Sequence, residues 1–167
     1  CMPPAAKLLS ICVPTFNRWL FVGTLLDSIP DAYLDRVEVC VSENPAPDDH
    51  TAEVIEKRRG RFPHFIYERR DRNYGFEDNL RHVLEMAHGE YCWTVGSDDW
   101  LTPSALDVIF GILEAERPSI IVGNSIAVSP DKRWMKKNYW LPNRVSECRF
   151  RFGDAERLGE YFELSRG

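Results

Sequence analysis

The sequence predicts an α/β fold in which a mostly parallel central sheet is flanked by helices on both faces. Short apolar runs, typical of buried strands, alternate with segments whose apolar residues recur at the i, i+3, i+4, i+7 spacing of a helix. This alternation repeats through most of the chain and favours parallel strands joined by helical crossovers. The 167 residues are enough for one domain with a buried core.

The first half of the chain supplies two strand–helix pairs. Leu8–Val13 is an apolar run closed by a proline, as a buried parallel strand should be. Asn17 is then placed to cap a helix whose apolar positions run from Val22 to Ile29. Val37–Val41 is the second predicted strand, and a loop with two prolines and two aspartates leads to a helix over Thr51–Arg59.

The second half continues the same alternation. Phe65–Tyr67 is predicted as a strand near the edge of the sheet, because charged residues flank it closely. A helix over Leu80–Ala87 repeats the apolar spacing, and Tyr91–Val95 is the fourth strand. A helix with its cap at Thr102 and a proline in its first turn precedes a fifth strand over Ser119–Gly123.

The alternation weakens after Asn124. Residues 125–148 are rich in aromatic and basic side chains and fit either a pair of strands with a loop or a flap. From Phe152 onward, polar and apolar residues interleave in a way that indicates a last helix. We find no internal repeat or low-complexity linker, so one domain is the best count.

Composition narrows the range of functions. The formal net charge of −5 argues against a nucleic-acid partner, and no apolar run approaches the roughly 20 residues that span a bilayer. The five cysteines have no metal-like spacing and three lie in apolar runs, so we expect a cytoplasmic protein without structural disulfides. The basic stretch Lys57–Arg61 is either a solvated face or an attraction to anionic phosphates or lipid head groups.

Polar and acidic residues follow four of the predicted strands at their carboxyl ends. Ligands of open parallel sheets bind at this edge, so these residues are candidates for a binding site. They are Pro14, Thr15, Phe16, Asn17, Arg18, Ser42, Glu43, Asn44, Asp71, Asn73, Gly75, Gly96, Ser97, Asp98 and Asp99. No glycine-rich phosphate loop follows the first strand, which argues against a dinucleotide-binding dehydrogenase and a P-loop NTPase.

The adjacent acids Asp98 and Asp99 are the strongest single feature. Two neighbouring carboxylates that leave a buried strand repel each other unless a cation lies beside them. Mg²⁺ or Mn²⁺, with substrate phosphates as further ligands, is the usual solution, and such an ion stabilises the charge on a departing diphosphate. The alternative is that one of the two acids caps the helix near Thr102, although Thr102 itself suits that task.

Several segments together resemble the family 2 glycosyltransferases of the GT-A fold, and among them the bacterial transferases that build O-antigen and other surface polysaccharides. The order and spacing match over residues 8–124 in the segments Ser10–Arg18, Val41–Asn44, Asn73–Gly75 with Asn79, Ala87–Tyr91 and Gly96–Asp99. The resemblance implies inverting transfer from a nucleoside-diphosphate sugar to a hydroxyl of a glycan or lipid-linked saccharide, in lipopolysaccharide or other polysaccharide biosynthesis. It also implies a cytoplasmic protein with peripheral contact at the inner face of the cell membrane.

The resemblance also implies roles for matching positions. The residues implied to bind the nucleotide sugar are Pro14, Thr15, Asn17, Arg18, Glu43, Asp71, Gly75, Asn79, Ser97 and Asp98. The residues implied to hold Mn²⁺ or Mg²⁺ are Asp98 and Asp99. Among them, Glu43 stands where the family usually has an aspartate that hydrogen-bonds the base.

Two features depart from the family pattern. The first position of the usual Asp-x-Asp metal motif is occupied by Gly96. The general base of the family usually lies farther along, so we expect it to be absent from this chain. Residues 1–124 are then the nucleotide-sugar-binding core, and residues 125–167 the start of a truncated acceptor-side region. The rival hypotheses are a sugar nucleotidyltransferase and a non-catalytic nucleotide-sugar-binding module.

Overall fold

The computed structural model of the chain describes residues 8–123, 125–128 and 135–138. The chain forms two compact units, Cys1–Glu116 and Arg117–Gly167. In the first unit, strands and helices alternate as the apolar pattern predicts. Its elements are β1 (Leu9–Phe16), α1 (Trp19–Ser28), a 3₁₀ turn (Asp31–Tyr33), β2 (Val37–Asn44), α2 (Thr51–Arg59), β3 (Phe65–Arg69), α3 (Phe76–Glu85), β4 (Tyr91–Thr94) and α4 (Ala105–Glu116).

The four strands of this unit form one parallel sheet in the order β3-β2-β1-β4. In the register, Leu9 of β1 lies between Val37 of β2 and Tyr91 of β4. Pairing of β1 with β2 continues to Phe16, whereas pairing of β1 with β4 ends at Cys12. Among the described strands, the carboxyl half of β1 is therefore paired on one side, by β2.

Helices cover both faces of the sheet. On one face, alternate residues of β1 and β2 pack against apolar side chains of α1, α2 and α4, including Leu26, Ile55 and Leu106. On the other face, Cys12 and Cys40 pack with Val83 of α3. Each fully buried apolar side chain stabilises the fold by roughly 1.5–3 kcal/mol, so these two layers hold the sheet. The predicted α/β architecture is confirmed.

A buried polar network closes the amino edge of the sheet, on the face that α3 covers. Ser10 donates its hydroxyl to the Glu38 carboxylate at 2.7 Å, and the main-chain N–H of His88 donates to the same carboxylate at 2.8 Å. The N–H of Gly89 donates to the Ser10 hydroxyl at 2.8 Å. These bonds compensate for burying the Glu38 charge, and they fix the turn between α3 and β4.

The predicted cap of α1 is wrong. Arg18 precedes the helix, and no side chain caps its first turn. Asn17 instead adopts a φ of 52°, in the left-handed region that asparagine tolerates better than most residues. Its main-chain N–H donates to the Asp49 carboxylate at 3.2 Å. Asn17 therefore acts in the turn between β1 and α1.

The second unit contains a two-stranded antiparallel sheet of β5 (Ser125–Val128) and β6 (Met135–Asn138). A pair of strands is one of the two structures that the sequence predicts for this region. The predicted fifth strand at Ser119–Gly123 is wrong, because those residues form no strand. An apolar run indicates that a segment tends to be buried, but it does not show which strand it would pair with. The next strand of the chain begins at Ser125. The predicted last helix lies outside the described residues.

Candidate functional site

Buried polar atoms without hydrogen bonds are concentrated at the carboxyl edge of the parallel sheet. Five such side-chain atoms occur among the described residues, and four lie at this edge: Thr15 Oγ1, Glu43 Oε1, Asn44 Oδ1 and Arg70 Nη1. Buried polar groups are nearly always paired, and each unpaired one costs roughly 1–3 kcal/mol. Glu43 Oε1 has an ion-pair contact with Arg69, and a polar ligand that bonds the other three atoms would recover that cost.

The end of β1 presents Pro14 and Thr15 to this edge. Thr15 is buried, whereas Pro14 is half-buried and Asn17 and Arg18 are exposed. The Arg18 side chain reaches the fourth strand's loop, where its Nε lies 3.7 Å from Oδ2 of Asp98. Both side chains are about half exposed, so the ion pair is weak, but it brings a guanidinium group next to the acidic pair.

Glu43, at the end of β2, is fully buried. The Tyr67 hydroxyl donates to its carboxylate, and Nε of Arg69 lies 3.3 Å from its Oε1. Burial raises the pKa of Glu43, and the Tyr67 hydrogen bond and the Arg69 charge only partly oppose it. The sequence pattern does not identify Tyr67 and Arg69 as site residues. Their spacing of two along β3 is the signal that places both side chains on the same face of the sheet as Glu43.

The loop after β3 carries Asp71, Asn73 and Gly75. The Asn44 amide donates to Oδ1 of Asn73 and to the carbonyl of Gly75, both at 3.0 Å, which ties the loop to the end of β2. Gly75 has a φ of 85°, which favours glycine. A hydrogen bond from the Tyr74 hydroxyl, at 2.8 Å, holds the pKa of Asp71 below its usual value.

Asn79, on α3, lies beneath the edge and is buried. Its amide nitrogen donates to the carbonyls of Thr15 and Ser42, and its carbonyl oxygen accepts the Ser42 hydroxyl. Its predicted contact with the base or ribose stays a prediction, and within the protein its amide group is hydrogen-bonded to Thr15 and Ser42. The spacing of four residues from the buried Val83 is the sequence signal that places Asn79 on the inner face of α3.

Asp98 and Asp99 both extend to the same side of the main chain. A Cβ atom placed on Gly96 would lie 3.1 Å from Oδ1 of Asp98 and 2.8 Å from Oδ2 of Asp99. The two carboxylates therefore converge in the space that a side chain at position 96 would fill. Partial burial and the neighbouring Asp98 charge raise the pKa of Asp99, as expected for two acids that share one place. Ser97 beside them is buried.

The acidic pair suits a hard divalent cation only in part. Within residues 8–123 and the described strands of the second unit, no group of three or more His, Cys, Asp or Glu side chains could hold a metal ion. Two convergent carboxylates nevertheless match the way Mg²⁺ is commonly bound, with one or two carboxylates and the remaining positions filled by water and phosphate oxygens. The residues fit an ion that arrives with a phosphate ligand.

The three arginines of the basic stretch at the end of α2 are engaged within the protein. Arg58 makes two hydrogen bonds of 2.9 Å to Asp27, and Arg61 pairs with Asp31 while donating to two carbonyls at the end of α1. Arg59 pairs with Glu56 on the same helix. These contacts support the interpretation of this stretch as a solvated structural face.

A family model described as "Glycosyl transferase family 2" matches residues 10–164. The chain is 36% identical over 113 residues to the abequosyltransferase RfbV of Salmonella typhimurium, covering 65% of this chain and 33% of that protein. It is 30% identical over 105 residues to the GalNAc(5)-diNAcBac-PP-undecaprenol beta-1,3-glucosyltransferase of Campylobacter jejuni, covering 60% and 33%. The chain thus spans about a third of the length of these two relatives.

Two solved structures share the fold. S. aureus TarS 1-349 in complex with UDP-GlcNAc has a TM-score of 0.57 at 22% identity, covering 72% of this chain and 33% of that chain. The mannosyltransferase PcManGT from Pyrobaculum calidifontis, in complex with GDP-Man and Mn2+, has a TM-score of 0.58 at 22% identity, covering 77% and 38%. At this identity the likeness establishes architecture alone. No helix in the described part of this chain is long and apolar enough to cross a membrane.

Proposed function

The chain belongs to glycosyl transferase family 2, and from that premise we propose that it binds a nucleoside-diphosphate sugar at the carboxyl edge of its parallel sheet for transfer to an acceptor hydroxyl. The observation that carries the proposal is the gathering at this edge of three buried polar atoms without a hydrogen bond, on Thr15, Asn44 and Arg70. Beside them lies Glu43 Oε1, which has an ion-pair contact with Arg69 but no hydrogen bond. The convergent carboxylates of Asp98 and Asp99 lie on the loop that follows β4 at the same edge. Together they offer hydrogen-bonding groups for a polar ligand and a cation site for its phosphates.

In this proposal the edge has a nucleoside side and a phosphate side. Glu43 and Asn44 form the nucleoside side, because their side chains are buried and directional, and the exposed loop with Asp71 and Gly75 lies beside them. Thr15 lies between the two sides. Arg18 and Asp98 form the phosphate side, where a cationic guanidinium group and an acidic group suit a metal-bound diphosphate.

Asp98 and Asp99 would hold Mn²⁺ or Mg²⁺, and the ion would stabilise the negative charge on the departing diphosphate. Arg18 lies close enough to Asp98 to add positive charge on the same side. The acceptor hydroxyl attacks the anomeric carbon from the opposite side and inverts it, and a base outside the described residues takes its proton. Turnover therefore needs the acceptor-side region as well as this edge.

We propose a role in the assembly of a bacterial surface polysaccharide such as O-antigen, with a glycan or lipid-linked saccharide as acceptor. The named relatives support this class: one is an abequosyltransferase and the other is named for an undecaprenol-linked acceptor. A lipid-linked acceptor would bring the protein to the inner face of the cell membrane as a peripheral contact.

Titration calorimetry with uridine, guanosine, cytidine and thymidine diphosphates, with and without Mn²⁺, tests the proposal. We expect one diphosphate to bind more tightly when Mn²⁺ is present. Asp98→Ala should abolish the gain from Mn²⁺, since it removes one of two carboxylates. Glu85→Gln is the matched control, because it removes a half-exposed carboxylate from the far end of α3 and should leave binding unchanged.

Each other outcome has a distinct meaning. Equal affinity of the wild type and Asp98→Ala in Mn²⁺ would contradict the metal site. Binding without transfer by a longer chain that includes the acceptor-side region would favour a non-catalytic binding module. Release of inorganic diphosphate from a nucleoside triphosphate and a sugar phosphate would instead identify a nucleotidyltransferase.

A further inference from the structure

One buried side chain of α3, Asn79, bonds to the carboxyl ends of both β1 and β2. Asn79 is only 2% exposed. Its Nδ2 donates to the carbonyl oxygens of Thr15 and Ser42, both at 3.1 Å, and its Oδ1 accepts the Ser42 hydroxyl at 2.6 Å. One amide therefore contacts two strands at the point where the proposed ligand edge begins.

The bond to Thr15 falls where β1 lacks support from the sheet. Pairing of β1 with β4 ends at Cys12, so within the described part of the chain the stretch Val13–Phe16 pairs with β2 alone. Asn79 reaches this stretch from α3 and bonds the Thr15 carbonyl there. The Asn79 side chain thus donates a hydrogen bond to the main chain of β1 in the stretch that no longer pairs with β4.

The same helix also anchors the loop that follows β3. Gly75 lies immediately before α3, and its carbonyl accepts the Asn44 amide at 3.0 Å. Asn44 and Asn79 therefore tie the start of α3 to the ends of both central strands. Displacing the first turn of α3 would move Thr15, Ser42 and the loop that carries Asp71 together.

We infer that Asn79 is a positioning residue for the donor site: it fixes the main chain of Thr15 and Ser42 so that neighbouring polar groups can meet the nucleotide. The inference rests on the proposed function. Both N–H groups and the carbonyl oxygen of Asn79 are used by the protein, whereas Thr15 Oγ1 and Asn44 Oδ1, beside the positions it holds, are buried and unpaired. Asn79 acts through those groups without touching the ligand itself.

Two measurements on Asn79→Ala in the 167-residue chain test the inference. The first is amide hydrogen exchange of the ligand-free protein, and the second is calorimetric affinity for the nucleoside diphosphate that the wild type binds. We expect faster exchange in segments 14–18 and 42–46. Affinity should fall about 10- to 100-fold, by analogy with the loss that follows removal of partners that orient metal-ligating side chains.

Ser10→Ala is the matched control. Ser10 is a fully buried serine on the same face of the sheet, but its partners Glu38 and Gly89 lie at the opposite, amino edge. It should lower the denaturation midpoint while leaving nucleotide affinity and exchange in the two segments unchanged. Ser42→Ala, which removes one of the three Asn79 bonds, should show the Asn79→Ala effects at smaller size, and it serves if Asn79→Ala does not fold.

The outcomes separate the inference from the proposed function. Unchanged exchange in both segments of a folded Asn79→Ala protein, or of Ser42→Ala in its place, would overturn the positioning role. Equal loss of nucleotide affinity in Ser10→Ala would also overturn it, because the effect would then follow from general destabilisation. A wild-type chain that binds none of the four diphosphates would refute the proposed function, while the exchange data would still decide whether Asn79 positions the two strands.

Discussion

Gly96→Ala is expected to weaken the metal site with little effect on the fold. The added Cβ would lie 2.8 Å from Oδ2 and 3.5 Å from Cγ of Asp99. Ordinary carbon–oxygen contacts begin at 3.4 Å, so the Asp99 oxygen must move by about 0.6 Å, beyond the roughly 0.5 Å tolerance of a binding constellation. The Cγ contact is already ordinary, so turning the carboxylate relieves the clash.

The rotation of the Asp99 carboxylate sets the size of the effects on folding and on metal binding. Turning one side chain away from its rotamer costs about 0.5–1.5 kcal/mol, which bounds the loss of folding free energy. Gly96 has no positive φ, so alanine adds no backbone strain. The Mn²⁺-dependent gain in nucleoside-diphosphate affinity should fall about tenfold or more, because the two carboxylates no longer converge on one point.

The assay is calorimetric titration of nucleoside diphosphate with and without Mn²⁺, combined with urea denaturation. Gly111→Ala is the matched control, because Gly111 lies within α4 and nothing lies within 4 Å of its would-be Cβ. It should raise the free energy of unfolding by about 0.5–1 kcal/mol and leave binding unchanged. A Gly96→Ala protein with the full wild-type response to Mn²⁺ would refute the geometric reasoning.

Two further predictions concern the amino edge. Gly89→Ala should lower the free energy of unfolding by about 1–3 kcal/mol or more in urea denaturation, because its Cβ would lie 2.7 Å from the main-chain nitrogen of Ser10; wild-type stability would contradict this. Burial raises the pKa of Glu38, but the His88 N–H, the Ser10 hydroxyl and the His88 ring outweigh it, so the pKa lies below its usual value. The native state then binds fewer protons than the unfolded state, and the stability from Glu38 is present above the unfolded pKa of about 4.3 and lost as pH falls through the folded pKa. Glu38→Gln should therefore flatten the dependence of unfolding free energy on pH below about 5, and a wild-type slope there would count against it.

The two central strands, β1 and β2, could be predicted because helices cover both of their faces. Strands buried on both faces read as continuous apolar runs, as in Ile11–Val13 and Val39–Val41, and such runs stand out between helical segments. The run at Ser119–Gly123 has the same appearance but forms no strand. Strand formation needs a pairing partner, and an apolar run by itself does not reveal one.

The site could be predicted at the level of an edge but not of individual roles. The rule that ligands bind at the carboxyl ends of parallel strands brought Thr15, Glu43 and Asp98 into one group. Whether a polar side chain faces the ligand or the protein depends on partners distant in sequence. Asn79 bonds to Thr15, 64 positions away, and Glu43 is bonded by Tyr67 from the neighbouring strand. These pairings arise only when the strands are side by side.

The segments that carry the family resemblance lie at two edges of the sheet. At each edge the glycine matters for a different reason. His88 and Gly89 lie at the amino edge, where their main-chain N–H groups donate to Glu38 and Ser10. A side chain at position 89 would have no space there. Gly96 and Asp98 lie at the carboxyl edge, where absence of a side chain opens space for carboxylates. An aspartate at position 96 would place its own Cβ in that space and displace the two acids that follow. The glycine there is therefore compatible with the proposed metal site of Asp98 and Asp99.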